Sequence, residues 1–152
     1  MEKILSFTVN HDTLEKGVYI SRIDGDIITY DIRAKIPNNN DFLANPAMHT
    51  IEHIFATFVR NSKYSNSVIY FGPMGCRTGF YLLLRDNVNY ADALQLIKDA
   101  FVFIAEFNDE IPGNKREECG NYLEHDLNGA KLEAAEMVKV LYSWKVADMQ
   151  YK

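Results

Sequence analysis

The chain has 152 residues, of which 47% are hydrophobic and 24% charged, and a net charge of -5. That length and apolar content suit one domain, residues 1–152, with a single substantial core. The acidic balance offers no basic field for phosphates or anionic lipid. Neither nucleic acid nor a membrane is therefore expected as a partner, and a small molecule or a protein is.

The first residues, MEKILSFTVNHDTLEKG, break a short apolar run with polar residues and carry no small-residue cleavage site, so they do not read as a secretory signal. No stretch approaches the roughly 18 consecutive apolar residues of a membrane span. A cytoplasmic location is the expectation. There, the two cysteines, Cys76 and Cys119, suit chemistry or metal binding better than a structural disulfide.

Along the chain, VYISRI and DIITYDIR alternate apolar and polar residues on either side of Asp24-Gly25, which predicts a β-hairpin. Pro37 and the asparagines up to Asn40 predict a loop. Asn45 and Pro46 resemble an N-cap and first helical residue, and Met48, Ile51, Ile54, Phe55 and Phe58 then recur at helical spacing. SVIYFGP and TGFYLLLR read as strands joined by a turn that contains Met74, Gly75, Cys76 and Arg77.

Asn89 is placed as the cap of a helix running through Phe107, with Ala93, Leu94, Ile97, Phe101 and Ile104 on one stripe. An irregular stretch, NDEIPGNKREECGNY, follows, and a last helix is expected from about Leu132 to Trp144. There are no repeats, low-complexity tracts or linkers. This order of elements predicts an α+β fold, a single-domain sandwich with a mainly antiparallel sheet packed by helices.

Within the first predicted helix, HTIEH sets His49 and His53 one turn apart on one face, where both rings can reach a common metal ion. Glu52 lies beside His53, close enough to move a proton without being a ligand. The same string is compatible with solvated histidines on a polar helix face. A third ligand decides between the two.

His11 lies near the terminus and His125 inside YLEHDL, which leaves Cys76 and Cys119 as the soft-ligand candidates. Cys119 is followed by Gly120, which allows the tight backbone of a loop reaching toward a helix. A His-His-Cys set would leave a fourth position open, as catalytic sites do. Cys76 has Gly72, Gly75 and Gly79 around it, with little bulk to shield it, and Arg77 beside it favours a reactive thiol if the two share a face. For Cys119 the plain alternative is a small buried thiol. Spacing alone does not choose which of them completes the metal site.

Taken together, SFTVNH, YDIR, HTIEH, GPMGCRTGF and ECGNYLEHDL, from Ser6 to about Leu127, resemble the S-ribosylhomocysteine lyase family, LuxS, in the family's order. The resemblance implies a homodimer with two interfacial active sites. Each site would hold one divalent metal, iron(II) natively, with zinc or cobalt as substitutes. By motif position it carries over His49, His53 and Cys119 as metal ligands, and Cys76 and Glu52 as the proton-transferring pair. Ser6, His11 and Arg33 correspond to substrate-contacting positions contributed by the partner subunit.

The implied reaction cleaves S-ribosyl-L-homocysteine to L-homocysteine and 4,5-dihydroxy-2,3-pentanedione, a quorum-sensing autoinducer precursor, within the activated methyl cycle. It proceeds by carbonyl migration and β-elimination, and needs no redox or organic cofactor. One departure stands out, because many members of the family carry an acidic residue where this chain has Tyr70. Two rival readings accompany this one. The first is an inverted H-x-x-E-H metallopeptidase with a downstream glutamate as third ligand. The second is a non-catalytic module closed around a structural metal.

Overall fold

The computed structural model describes all residues, 1–152. Strands β1 (Gly17–Asp24) and β2 (Ile27–Arg33) form the expected hairpin, turning through Gly25 at φ +59°, the left-handed region that glycine enters without strain. They are followed by α1 (Asn45–Arg60), β3 (Val68–Pro73), β4 (Gly79–Arg85), α2 (Tyr90–Ala105) and α3 (Leu127–Leu141). Short 3-10 turns occupy Leu5–Phe7, Ser65–Ser67 and Val146–Met149. The strands lie in the order β1-β2-β4-β3, each antiparallel to its neighbours.

Strand periodicity decides which face of this sheet is dry. Ile28, Tyr30 and Ile32 of β2 and Leu84, Leu82 and Phe80 of β4 pair across the ladder and share one face, where all are buried. The helices cover that face with Ile51, Ile54, Phe55 and Val59 from α1, Leu94, Ile97 and Phe101 from α2, and Ala134 and Met137 from α3. Phe55 stacks on Phe71 of β3 with ring centroids 3.9 Å apart. The result is an α+β sandwich, an antiparallel sheet with helices on one side.

The opposite face of the sheet is only partly apolar and is covered at the start of β1 by the C-terminal segment. Tyr19, Asp31 and Tyr81 form a cross-strand row, and Arg33 lies two residues along β2. The Tyr19 ring stacks on Tyr151 and meets Trp144 edge-on, while Trp144 Nε1 donates to Val18 O at 2.9 Å. The C-terminal segment thus packs against the N-terminal end of β1. Under it, Asp31 and Arg33 are 1% and 3% exposed, although neither belongs to the apolar core.

Four boundaries differ from the sequence-based expectation. Ala44 is the N-cap of α1 with no side-chain cap bond, and Asn45 is the first helical residue with Pro46 behind it. The last helix begins at Leu127, five residues before the expected Leu132, because the Asp126 side chain accepts from Gly129 N and caps a first turn that contains Asn128 and Gly129, both poor helix formers. Trp144 lies beyond its end. Asn89 caps α2 as expected, its side chain accepting from Asp92 N at 2.8 Å, and the helix stops at Ala105, two residues before Phe107. No helix is long and apolar enough to cross a membrane.

Candidate functional site

Helical spacing puts His49 and His53 on one face of α1, and the long loop before α3 is folded over them. His49 Nδ1 lies 2.7 Å from Glu124 O and His53 Nδ1 2.8 Å from Pro112 O. A carbonyl oxygen can only accept, so each Nδ1 carries the proton and donates it. Each Nε2 is therefore left with a bare lone pair. This is the way metal-binding histidines are oriented and held in one tautomer. Gly113, at φ +70°, lets the loop come this close, since a Cβ there would sit 3.1 Å from His53 Nδ1.

The same loop delivers Cys119, whose Sγ lies 3.4 Å from His49 Nε2 and 3.8 Å from His53 Nε2. Metal–nitrogen and metal–sulfur bonds of ordinary length at a tetrahedral angle put N and S about 3.6 Å apart. The two observed separations bracket that edge. The residues present therefore fit a single metal ion, and no carboxylate joins them. Asn121 N points at Cys119 Sγ from 3.5 Å, a donor suited to a thiolate.

His125 is the member of this cluster that sequence reasoning set aside. Its ring stacks on His49 with centroids 4.0 Å apart, and donor atoms of His49, His53, Cys119 and His125 all lie within 4.8 Å of one another. Thr50 Oγ1 faces three groups at 3.0 Å. It donates to Pro46 O, accepts from Asp126 N, and so has only acceptor capacity left for His125 Nδ1–H. His125 Nε2 is buried without a partner. Burial, then the neighbouring His49 and His53, push His125 down from the ordinary 6.5 to about 4, which keeps the ring neutral. The sequence signal was faint, a histidine six residues past Cys119 with no periodicity to set its direction.

Glu52 is half-buried on α1 and engages in no ion pair. Cys76 lies elsewhere, in the turn between β3 and β4. Arg77 N donates to Met74 O and Arg77 adopts φ +60°, which leaves Cys76 exposed at the tip. It opens into a cavity of about 390 Å³ that Ser6, His11, Arg33, Thr78 and Tyr81 also line. Ser6, His11, Arg33 and Cys76 are thus together in one chain, and none of the four cluster residues lines their cavity.

The charge next to Cys76 differs from the sequence reading. Arg77 turns away, donating to Leu43 O at 3.3 Å and lying over the Phe42 ring, so the cation that faces the thiol's cavity is Arg33. Burial alone would lower the Arg33 guanidinium, but the Asp31 carboxylate more than offsets it and holds Arg33 raised. Tyr70 is exposed on β3 with its ring across Gly72, where a Cβ would collide with the phenol. It lines a neighbouring cavity that shares Ser6 and Tyr81 with the first.

The family model described as S-Ribosylhomocysteinase (LuxS) matches residues 4–148. Among similar proteins, the S-ribosylhomocysteine lyase of Borreliella afzelii is 45% identical over 156 residues, covering 99% of both chains. That of Clostridium acetobutylicum is 50% identical over 132 residues, 84% of both chains. The enzyme of Desulfotalea psychrophila is 50% identical over 141 residues, 90% of this chain and 89% of its own.

Proposed function

The chain belongs to the S-ribosylhomocysteinase (LuxS) family, and on that premise we propose that it is a carbon–sulfur lyase that splits S-ribosyl-L-homocysteine into L-homocysteine and 4,5-dihydroxy-2,3-pentanedione, an autoinducer precursor. The observation that carries this reading is the pair of bare Nε2 atoms on His49 and His53 facing Cys119 Sγ. His49, His53 and Cys119 hold one divalent metal per subunit, iron(II) natively, with zinc or cobalt able to replace it. When bound, the metal supplies Lewis acidity that makes the C–H bonds beside the sugar carbonyl acidic enough to break.

The chain's own residues then move protons. Cys76, as thiolate, takes the proton from the carbon beside the carbonyl, and its return one carbon away walks the carbonyl from C1 through C2 to C3. Glu52 then removes the C4 proton. The C–H electron pair becomes the C4–C5 double bond, the C5–S bond breaks, and sulfur leaves as the homocysteine thiolate. The enol that remains takes up a proton to become the dione. Ser6, His11 and Arg33 contact the substrate. His11 donates Nδ1–H to Val9 O at 2.8 Å, so its Nε2 is free to accept from a sugar hydroxyl.

The protein is a cytoplasmic homodimer, one catalytic domain per chain. Because the Cys76 cavity and the donor cluster share no lining residue, each active site forms where the cavity of one subunit faces the cluster of its partner. A specific observation favours a second reading, a structural metal closed by His125, whose unpartnered Nε2 belongs to the cluster. One assay separates the two. Purified protein loaded with iron or cobalt is expected to release free thiol from S-ribosylhomocysteine. A metal-replete protein that releases none would leave the structural metal standing, and peptide cleavage in its place would overturn the lyase.

A further inference from the structure

Behind Cys76 runs a chain of buried and half-buried hydrogen bonds to which the reaction as described assigns no role. Tyr151 Oη donates to Asp31 Oδ2 at 2.7 Å. The Asp31 carboxylate also takes Arg33 through Nε at 3.1 Å and Nη2 at 2.6 Å. Arg33 Nη1 continues to Thr78 Oγ1 at 2.7 Å, and Thr78 Oγ1 lies 3.0 Å from Cys76 Sγ. The relay thus joins Tyr151, beyond the Val146–Met149 turn, to the tip of the β3–β4 turn across the far face of the sheet.

The direction of each bond follows from what its members can do. A guanidinium only donates and a carboxylate only accepts, so Arg33 donates both to Asp31 and to Thr78. Thr78 is 2% exposed, its oxygen is already an acceptor, and its single hydroxyl hydrogen has one acceptor within reach, Cys76 Sγ. We propose that Thr78 is a positioning residue for Cys76, donating its hydroxyl hydrogen to Sγ in a direction fixed by Arg33, with Asp31 and Tyr151 holding Arg33 in place. A sulfur that accepts this bond is favoured as thiolate, the form a base requires. The use of that thiolate rests on the lyase reading. The relay itself does not.

The remaining groups facing the thiol come from three elements. Arg33 reaches it from β2, His11 from the N-terminal segment and Tyr81 from β4, while Arg77 of its own turn points elsewhere. Of these, only Arg33 hydrogen-bonds to the Thr78 side chain. Tyr151 is kept protonated, burial first and then Asp31 raising its phenol far above the usual range, so it remains a donor to Asp31.

The test is alkylation of the metal-loaded protein by iodoacetamide at pH 7, read at the Cys76 peptide by mass spectrometry so that Cys119 does not contribute. Thr78→Val removes the hydroxyl and keeps the shape, and the rate is expected to fall about fivefold, the loss of one charge-assisted hydrogen bond partly offset by a more nucleophilic sulfur. Thr78→Ser restores the donor and is expected within about twofold of the parent. Tyr151→Phe, remote from the cavity, slows the reaction in the same direction.

A folded Thr78→Val protein alkylated at the parental rate overturns the proposal, as does a Thr78→Ser protein as slow as the valine variant. If Thr78→Val does not fold, Thr78→Ala and Tyr151→Phe carry the test, and parental rates in both overturn it. No substrate is present in this measurement. Turnover by Cys76→Ala would therefore remove the lyase role of the thiol and leave the alkylation result intact.

Discussion

At the scale of single residues, the donor cluster is governed by which nitrogen of each imidazole is occupied. His49 and His53 give Nδ1–H to backbone carbonyls, whereas His125 gives its own to Thr50 and leaves Nε2 buried and bare. Burial of that Nε2, and then the cation that protonation would put against two neighbouring imidazoles, push the ring down to about 4. The sign of the pH dependence follows. Between about 4 and 6.5 the unfolded chain takes up a proton at His125 that the folded chain does not, so stability falls as pH drops through that window and is fully present above it. Urea denaturation of metal-free protein from pH 7 to pH 4 is expected to show this loss, and His125→Gln to show a shallower one. Parallel curves for the two would dismiss His125 as the cause. That His49 and His53 share a face was legible because helical spacing fixes where both point, whereas spacing left Cys76 and Cys119 undecided. The direction of His125 was not legible, because a loop has no period.

At the scale of elements, β2 and β4 carry their core face on alternate residues, and the hairpin, the β3–β4 pair and, at helical spacing, the stripe of α2 were readable from the sequence. The start of α3 was not. Its first turn is selected by tertiary fit, since a Cβ on Gly129 would crowd Asp126 and come within 3.2 Å of Ala47 Cβ on α1. Glycine is a poor helix former by propensity, yet close packing here leaves no room for a side chain. Alternation also misleads about chemistry at one position. Tyr30 occupies an inward site of β2 and is fully buried, yet its hydroxyl has no partner. Burial drives its phenol far above the ordinary range, with Tyr90 adding to the effect. A buried hydroxyl without a hydrogen bond costs about 1–3 kcal/mol, so Tyr30→Phe, which keeps the ring, is expected to stabilise the fold by roughly 1 kcal/mol in urea denaturation. A loss of stability of similar size would mean that the hydroxyl is satisfied in solution.

At the scale of the whole molecule, the Cys76 cavity and the donor cluster have no residue in common within one chain. The cavity of Cys76 is built from the N-terminal segment, β2 and the β3–β4 turn, while the donor cluster is built from α1 and the loop preceding α3. Composition and periodicity carry no trace of this separation, since it arises from tertiary placement, and the resemblance paired Cys76 with Glu52 where the structure groups it with Ser6, His11 and Arg33. Complementation between defective chains tests it directly. Cys76→Ala is expected to bind metal and lose turnover, and Cys119→Ala to lose metal and turnover together. If each active site takes its cavity from one subunit and its cluster from the other, a heterodimer of these variants has one site with both halves intact and one with both halves damaged. Mixing equal amounts under subunit exchange, where half of the dimers are hetero, should therefore restore about a quarter of the parental thiol release. If cavity and cluster served the same active site within one chain, every site in the mixture would keep one lesion, and activity would stay at the level of the separate variants.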